Sequence, residues 1–122
     1  MDSKLPIVFA CSGCSNAGQL ANRLALEFDR RGLAEMSCLA GIAAGKTHFL
    51  KKLQAREVWI IDGCPLECAV GVFDQILQHV DVEIRLHELG VRKQDPELED
   101  DAFGHFVEQV IAHINSKKVS KS

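Results

Sequence analysis

The cysteines are the residues in this sequence whose type and spacing could do chemistry. Cys11 and Cys14 form a C-x-x-C pair, Cys38 follows on its own, and Cys64 and Cys68 are four residues apart. Both close spacings let two sulfur atoms reach one ion, and thiolates suit zinc, copper(I) or an iron–sulfur cluster. Because five cysteines cannot all pair within one chain, we expect reduced thiols rather than a disulfide framework. The cysteines therefore predict a metal site or, as the alternative, a shared thiol-redox site.

Apolar patterns place a strand before each of the cysteine segments. Leu5–Ala10 and Val58–Ile61 are continuous apolar runs, typical of strands that are covered on both faces, and Glu35–Leu39 indicates a weaker strand between them. Val82–Leu86 alternates apolar with polar residues, which predicts a fourth strand at an edge of the sheet with one wet side.

Apolar residues at helical spacing follow each strand. The first helix is expected to be capped by Ser15 or Asn16 and to end at Gly32. Three later helices are predicted around Phe49–Leu53, from Pro65 to Val80, and from Pro96 with an acidic first turn. The buried stripe of the Pro65–Val80 helix is expected to consist of Ala69, Val72, Phe73, Ile76, Leu77 and Val80.

The predicted element order, β-α-β-α-β-α-β-α, favours a parallel sheet with helices on both faces. We therefore predict an α/β fold, a single-domain three-layer sandwich around a mostly parallel four-stranded sheet. Residues 1–115 form this domain, and the polar, basic residues 116–122 are expected to be a disordered tail. In such sheets ligands bind outside the carboxyl ends of the strands, where the strand order reverses.

All five cysteines are expected at this one edge of the sheet, because each cysteine segment follows a strand. Thiols that are distant in sequence would then meet in one crevice, which cysteines acting only as buried apolar residues would have no reason to do. Cys64 and Cys68 also fall at the start of a helix, where backbone N–H groups stabilise negatively charged sulfur. Metal binding requires that ionised form.

Composition and charge exclude several classes of function. Fourteen Lys and Arg residues against seventeen Asp and Glu residues give a net charge of −3, which excludes a generally basic nucleic-acid-binding protein. No stretch approaches the roughly 20 consecutive apolar residues of a membrane span. The apolar run Leu5–Cys11 is interrupted by Pro6 and is too short for a signal peptide. We therefore expect a cytoplasmic protein with no nucleic-acid or membrane partner.

Other signals in the sequence have competing interpretations. Gly41–Thr47 resembles a phosphate-binding loop, but alanine stands at position 40 where that motif needs glycine, so we expect a small-residue turn that opens a helix. The loop after the first strand contains no arginine, which disfavours the oxyanion chemistry of cysteine phosphatases and arsenate reductases. His87 lies near the end of the fourth strand and could complete a mixed thiolate–imidazole site. Asp62 could accept backbone hydrogen bonds beside Cys64.

The chain resembles the bacterial and archaeal DGC domain family, named for its Asp-Gly-Cys motif, in the three segments Cys11–Gly13, Ser37–Ile42 and Ile61–Cys68. The resemblance runs in order over most of the chain, from about Pro6 to Val91. It implies a zinc-binding domain whose four characteristic cysteines correspond to Cys11, Cys38, Cys64 and Cys68. Cys14 is an additional thiol, and whether it binds the ion, replaces Cys38 or stays outside the ligand set is left open.

The sequence as a whole predicts a zinc-binding protein whose clustered thiolates lie at the carboxyl edge of the sheet and serve metal handling or sensing. Its candidate metal ligands are Cys11, Cys14, Cys38, Cys64 and Cys68. The alternative is a thiol-dependent redox or transfer enzyme that uses Cys11 with Cys14 or Cys64. Four thiolates would close the shell of a structural or metal-handling site, whereas three thiolates with an open position would permit Lewis-acid catalysis. Whether the protein is an enzyme stays open.

Overall fold

A four-stranded, fully parallel sheet forms the centre of the computed structural model, which describes residues 5–63 and 65–121. Its strands are β1 (Ile7–Ala10), β2 (Glu35–Met36), β3 (Val58–Asp62) and β4 (Val82–Arg85), in the order β2-β1-β3-β4. The register pairs Ala10 with Ile61 and Asp62 with Arg85. The predicted α/β fold is therefore confirmed.

Helices cover both faces of the sheet, because β1 and β3 are apolar on both of their sides. They are α1 (Asn16–Arg30), α2 (Leu39–Ala43), α3 (Thr47–Lys51), α4 (Cys68–Gln75) and α5 (Asp100–Lys121), with a short 3₁₀ helix at Leu86–Leu89. α1 and α5 pack on one face, where Phe28 meets Trp59 edge-on with ring centroids 6.0 Å apart. α2, α3 and α4 pack on the other face, where Phe73 meets Phe9 at 5.1 Å.

The first helix begins and ends where the sequence predicts. Ser15 is the N-cap of α1, and its side-chain oxygen accepts the Gly18 N–H at 3.1 Å. Gly32 has φ of +74°, a left-handed conformation that glycine adopts without strain and that ends the helix. This well-defined start matters for the site, because the first turn of α1 lies at the carboxyl edge of the sheet.

The predicted helix Pro65–Val80 is wrong at both ends. α4 begins at Cys68 and ends at Gln75, where Leu77 adopts a positive φ of 56° and the Gln78 N–H turns back to the Phe73 carbonyl. The expected burial of Ile76 and Leu77 is wrong for the same reason. The chain reverses before these residues can join the stripe, and they are 39% and 93% exposed.

Two further segments differ from the sequence prediction. The strand predicted over Glu35–Leu39 is only two residues long, because Cys38 caps α2 and Leu39 is the first residue of that helix. α5 begins at Asp100, since the carbonyl of Leu98 accepts a hydrogen bond from Arg23 at 2.8 Å and the chain before it is held outside the helix. α5 continues to Lys121, and Lys117 donates to the Glu83 carbonyl. The disorder expected for residues 116–122 stays a prediction. Ser122 lies outside the described residues.

Within the described residues, no helix combines the length and the apolar character that crossing a bilayer needs.

Candidate thiol site

The strand order reverses between β1 and β3, because the chain adds β2 on one side of β1 and then β3 on the other. The loops that leave these two strands carry Cys11 with Cys14 and Cys64 with Cys68. Cys11 continues the ladder of the sheet, since its N–H donates to the Ile61 carbonyl at 3.1 Å. Two cysteine loops therefore flank the crevice in which parallel sheets of this kind bind ligands.

The sulfur of Cys11 touches the Asp-Gly-Cys segment. The Gly63 N–H donates to Cys11 Sγ over 3.3 Å, and the Cys11 side chain is half-buried. A backbone N–H that points at sulfur favours the charged thiolate over the neutral thiol. Cys64 is the next residue along the chain and lies outside the described residues, so its predicted role as a ligand stays a prediction.

Glycine is required at two points where backbones meet in this site. A Cβ on Gly63 would lie 2.3 Å from the Ala17 carbonyl oxygen, and a Cβ on Gly18 would lie 2.6 Å from the Gly13 nitrogen. Real Cβ atoms do not come this close to backbone atoms. The first turn of α1 therefore packs directly against both cysteine loops and holds them in place.

Asp62 anchors the start of α4 from the end of β3. Its two carboxylate oxygens accept the N–H groups of Ala69 and Val70 at 2.8 and 3.1 Å, whereas the side chain of the N-cap residue Glu67 makes no capping bond. Burial raises the pKa of the Asp62 carboxyl, against the two N–H donors, which lower it. The structure thus confirms that Asp62 accepts backbone hydrogen bonds beside the Cys64 turn.

Replacing Asp62 with asparagine is expected to lower the free energy of unfolding by about 2 kcal/mol. The side-chain NH₂ of asparagine would face one of the two backbone N–H donors and leave that donor without an acceptor. Urea unfolding measures the change. Asp74→Asn, at an exposed position near the other end of α4, is the matched control and should leave stability nearly unchanged. Equal effects of the two substitutions would contradict the anchoring role.

An ion pair connects the loop after β3 to the end of β4. Glu67 has a left-handed backbone with φ of 52°, which costs a non-glycine residue about 1 kcal/mol. Its carboxylate lies 3.0 Å from Arg85 Nε and 3.5 Å from His87 Nε2. Arg85 also pairs with Glu83. The polar alternation of β4 predicts that Arg85 is on the wet side of the strand but does not predict its partner, and the register places Arg85 opposite Asp62.

A double-mutant cycle with Glu67→Gln and Arg85→Gln should give a coupling energy of about 1 kcal/mol, because both side chains are roughly three-quarters buried. The control cycle uses Arg23→Gln and Asp100→Asn, whose carboxylate is fully exposed, and should show no measurable coupling. Unfolding in urea gives both values. If the Glu67 cycle is as weak as the control, the ion pair does not hold the loop.

His87 Nε2 contacts the Glu67 carboxylate, and within the described segments His87 belongs to no group of three potential metal ligands. Its second ring nitrogen, Nδ1, is buried and has no hydrogen-bond partner among residues 5–63 and 65–121. The proposed completion of a thiolate–imidazole site by His87 therefore has no support from the described contacts.

The other described thiols also lie at the carboxyl edge of the sheet. Cys38 is exposed, and its Sγ accepts the Gly41 N–H at 3.3 Å as the N-cap of α2. Cys14 lies exposed in the turn before α1, and Cys68 is the exposed first residue of α4. In the chain without residues 1–4, Cys64 and Ser122, no three Cys, His, Asp or Glu side chains form a group that could hold a metal ion.

The Gly41–Thr47 segment does not form a phosphate loop. It makes up most of α2 and the turn that leads into α3, as its small residues predict. Gly41 is needed for packing, since a Cβ there would lie 2.2 Å from the Phe49 ring.

Sequence comparison connects this geometry to a family. The model of the DGC domain matches residues 7–110, a span that contains all five cysteines and the Asp62–Cys64 motif. The chain belongs to the DGC domain family. Within the DGC motif, Asp62 is the last residue of β3 and the anchor of α4, and Gly63 is the contact with α1.

A curated relative of this DGC domain is the anaerobic and virulence modulator AnvM of Pseudomonas aeruginosa. The two sequences are 43% identical over 94 residues, which is 76% of this chain and 72% of the relative. No solved structure matches the chain.

Proposed function

We propose that this DGC domain binds one zinc ion through cysteine thiolates at the edge where β1 and β3 end. The observation that carries the proposal is the contact between Cys11 Sγ and the Gly63 N–H. This contact places the Cys11 thiol, in the loop after β1, against Gly63, which precedes Cys64 in the loop after β3. Thiolates from separate loops are the usual ligands of a structural zinc ion.

The ligand set that fits best consists of Cys11, Cys64 and Cys68, with Cys38 or Cys14 as the fourth. Cys38 follows β2, the direct neighbour of β1, whereas Cys14 shares the loop of Cys11. Cys64 is included because it follows Gly63, whose N–H contacts Cys11 Sγ. The donor chemistry fits, because soft thiolates select zinc over hard cations.

A regulatory role is the form of this function that we favour. The relative from Pseudomonas aeruginosa is named a modulator rather than an enzyme. Exposed thiols such as Cys14 and Cys68 can exchange a metal ion with the surroundings, as metal handling or sensing requires. Zinc bound by four thiolates would have no open position for a substrate.

A thiol-redox function is the second candidate, favoured by the same Cys11 contact. In that case Cys11 and Cys64 form a disulfide, and two electrons and two protons pass to an acceptor disulfide, which is reduced to two thiols. A thiolate stabilised by the Gly63 N–H would be the attacking sulfur.

Thiol alkylation with and without a zinc chelator separates the two functions. We expect untagged protein purified without oxygen to contain one equivalent of zinc, and Cys11 and Cys64 to react slowly until the chelator is added. Mass spectrometry of the peptides reports each cysteine. Fast alkylation before chelation, together with less than about a tenth of an equivalent of zinc, would reject the zinc site, and a reversible Cys11–Cys64 disulfide would then support the redox function.

A further inference from the structure

A cavity of about 360 Å³ lies between α1, α5 and the segment 89–98. It would hold about a dozen water molecules, and it falls in the size range of small-molecule sites. Among the described residues no cysteine lines it.

The inner wall of the cavity is apolar. Its main contributors are Leu20, Leu89, Val91, Leu98 and Phe106, each of which packs on the core on one side and is only partly buried. Part of the surface of these five side chains therefore faces the cavity, and a bound apolar molecule would remove that surface from water.

Hydrogen bonds between the segment 89–98, which covers the cavity, and the first turn of α1 hold the cavity open. Asn16 Nδ2 donates to the Asp95 carbonyl at 2.9 Å, and the Ala17 N–H donates to the Lys93 carbonyl at 3.3 Å. These bonds fix the segment 89–98 over the space between the helices, so the site is preformed.

The polar side chains at the opening of the cavity determine which ligand charge the cavity favours. The guanidinium of Arg23 is already engaged by the Leu98 carbonyl at 2.8 Å and by Asp100 at 3.1 Å. Glu97 contributes a negative charge, and the exposed side chain of Gln109 offers an amide group to the cavity. Among the described lining residues Arg23 is the only cation, and its existing partners disfavour an anion here, whereas a neutral hydrogen-bonding group can pair with the Gln109 amide.

We propose that this cavity binds an uncharged, mostly apolar small molecule that carries one hydrogen-bonding group and fits within about 360 Å³, a class for which indole is a small probe. The apolar wall takes the body of the molecule, and Gln109 takes its polar group.

Titration of the ¹⁵N-labelled protein with indole tests the proposal. Saturable shifts should appear at Leu20, Leu98 and Gln109, and indole-2-carboxylate should bind at least five-fold more weakly. Gln109→Trp, which fills the mouth, should weaken indole binding at least ten-fold. His105→Trp, at an exposed position on the same helix that does not line the cavity, should change the affinity less than two-fold.

The absence of saturable shifts at the lining residues would overturn the proposal. The proposal would also be overturned if Gln109→Trp and His105→Trp weakened indole binding equally. Tighter binding of indole-2-carboxylate than of indole would overturn it as well. Both substituted positions are exposed on α5, and unchanged spectra of the sheet residues show that the variants are folded.

Discussion

Gly63→Ala is expected to lower the free energy of unfolding by about 3 kcal/mol, at the upper end of the cost of overpacking. Gly63 is buried, and the added methyl group would lie 2.3 Å from the oxygen and 2.5 Å from the carbon of the Ala17 carbonyl group. Both partners are backbone, so no side chain can rotate away. Relief requires α1 to move off the loop, and the Gly63 contact with Cys11 Sγ would be lost with it.

Gly71→Ala is the matched control for this prediction. Gly71 lies in the middle of α4, and a Cβ there meets nothing within 4 Å. Because alanine is the better helix former, the control should stabilise the protein by about 0.5–1 kcal/mol. Chemical denaturation of both variants gives the two values. A difference of less than about 1 kcal/mol between them would show that α1 and the DGC turn are not packed backbone to backbone.

Cys64→Ser is expected to weaken zinc binding about a hundred-fold. A structural zinc site is worth about 12 kcal/mol, so each of four thiolates contributes about 3 kcal/mol, which corresponds to about two orders of magnitude in affinity. Serine keeps the size of the side chain but offers a poor ligand to a thiophilic ion. Competition with a chromophoric chelator measures the zinc affinity.

Cys14→Ser and Cys38→Ser provide the comparison that identifies the fourth ligand. One of the two should weaken zinc binding nearly as much as Cys64→Ser, and the other should change it by less than about three-fold. The thiolate site would be refuted if the serine variant of each of the five cysteines kept a zinc affinity within three-fold of that of the unchanged protein.

The fold could be predicted where local pattern and tertiary structure agree. Ile7–Ala10 and Val58–Asp62 are buried on both faces, so their continuous apolar runs could be recognised as parallel strands. The end of α4 could not be predicted, because Ile76 and Leu77 fit the helical stripe and only the chain reversal at Leu77 exposes them. The pattern of these residues does not encode that reversal.

The location of the candidate site could be predicted, but its internal contacts could not. A helix between β1 and β2 makes these two strands parallel, so Cys11 and Cys38, which follow them, lie at the same edge of the sheet. The order β2-β1-β3-β4, which makes the Cys11 and Cys64 loops neighbours, depends on helix packing and has no local signal. The same holds for the close approach at Gly63 and for the Glu67–Arg85 ion pair, since both join segments that are distant in sequence.

X-ray absorption at the zinc edge tests the central claim most directly. Protein purified without oxygen and without a metal-binding tag should contain one zinc ion surrounded by sulfur at about 2.3 Å. Four sulfur neighbours identify a closed thiolate shell. A first shell of only oxygen or nitrogen at about 2.0–2.1 Å, or a zinc content too low to give a spectrum, would contradict a zinc site built from cysteines of separate loops.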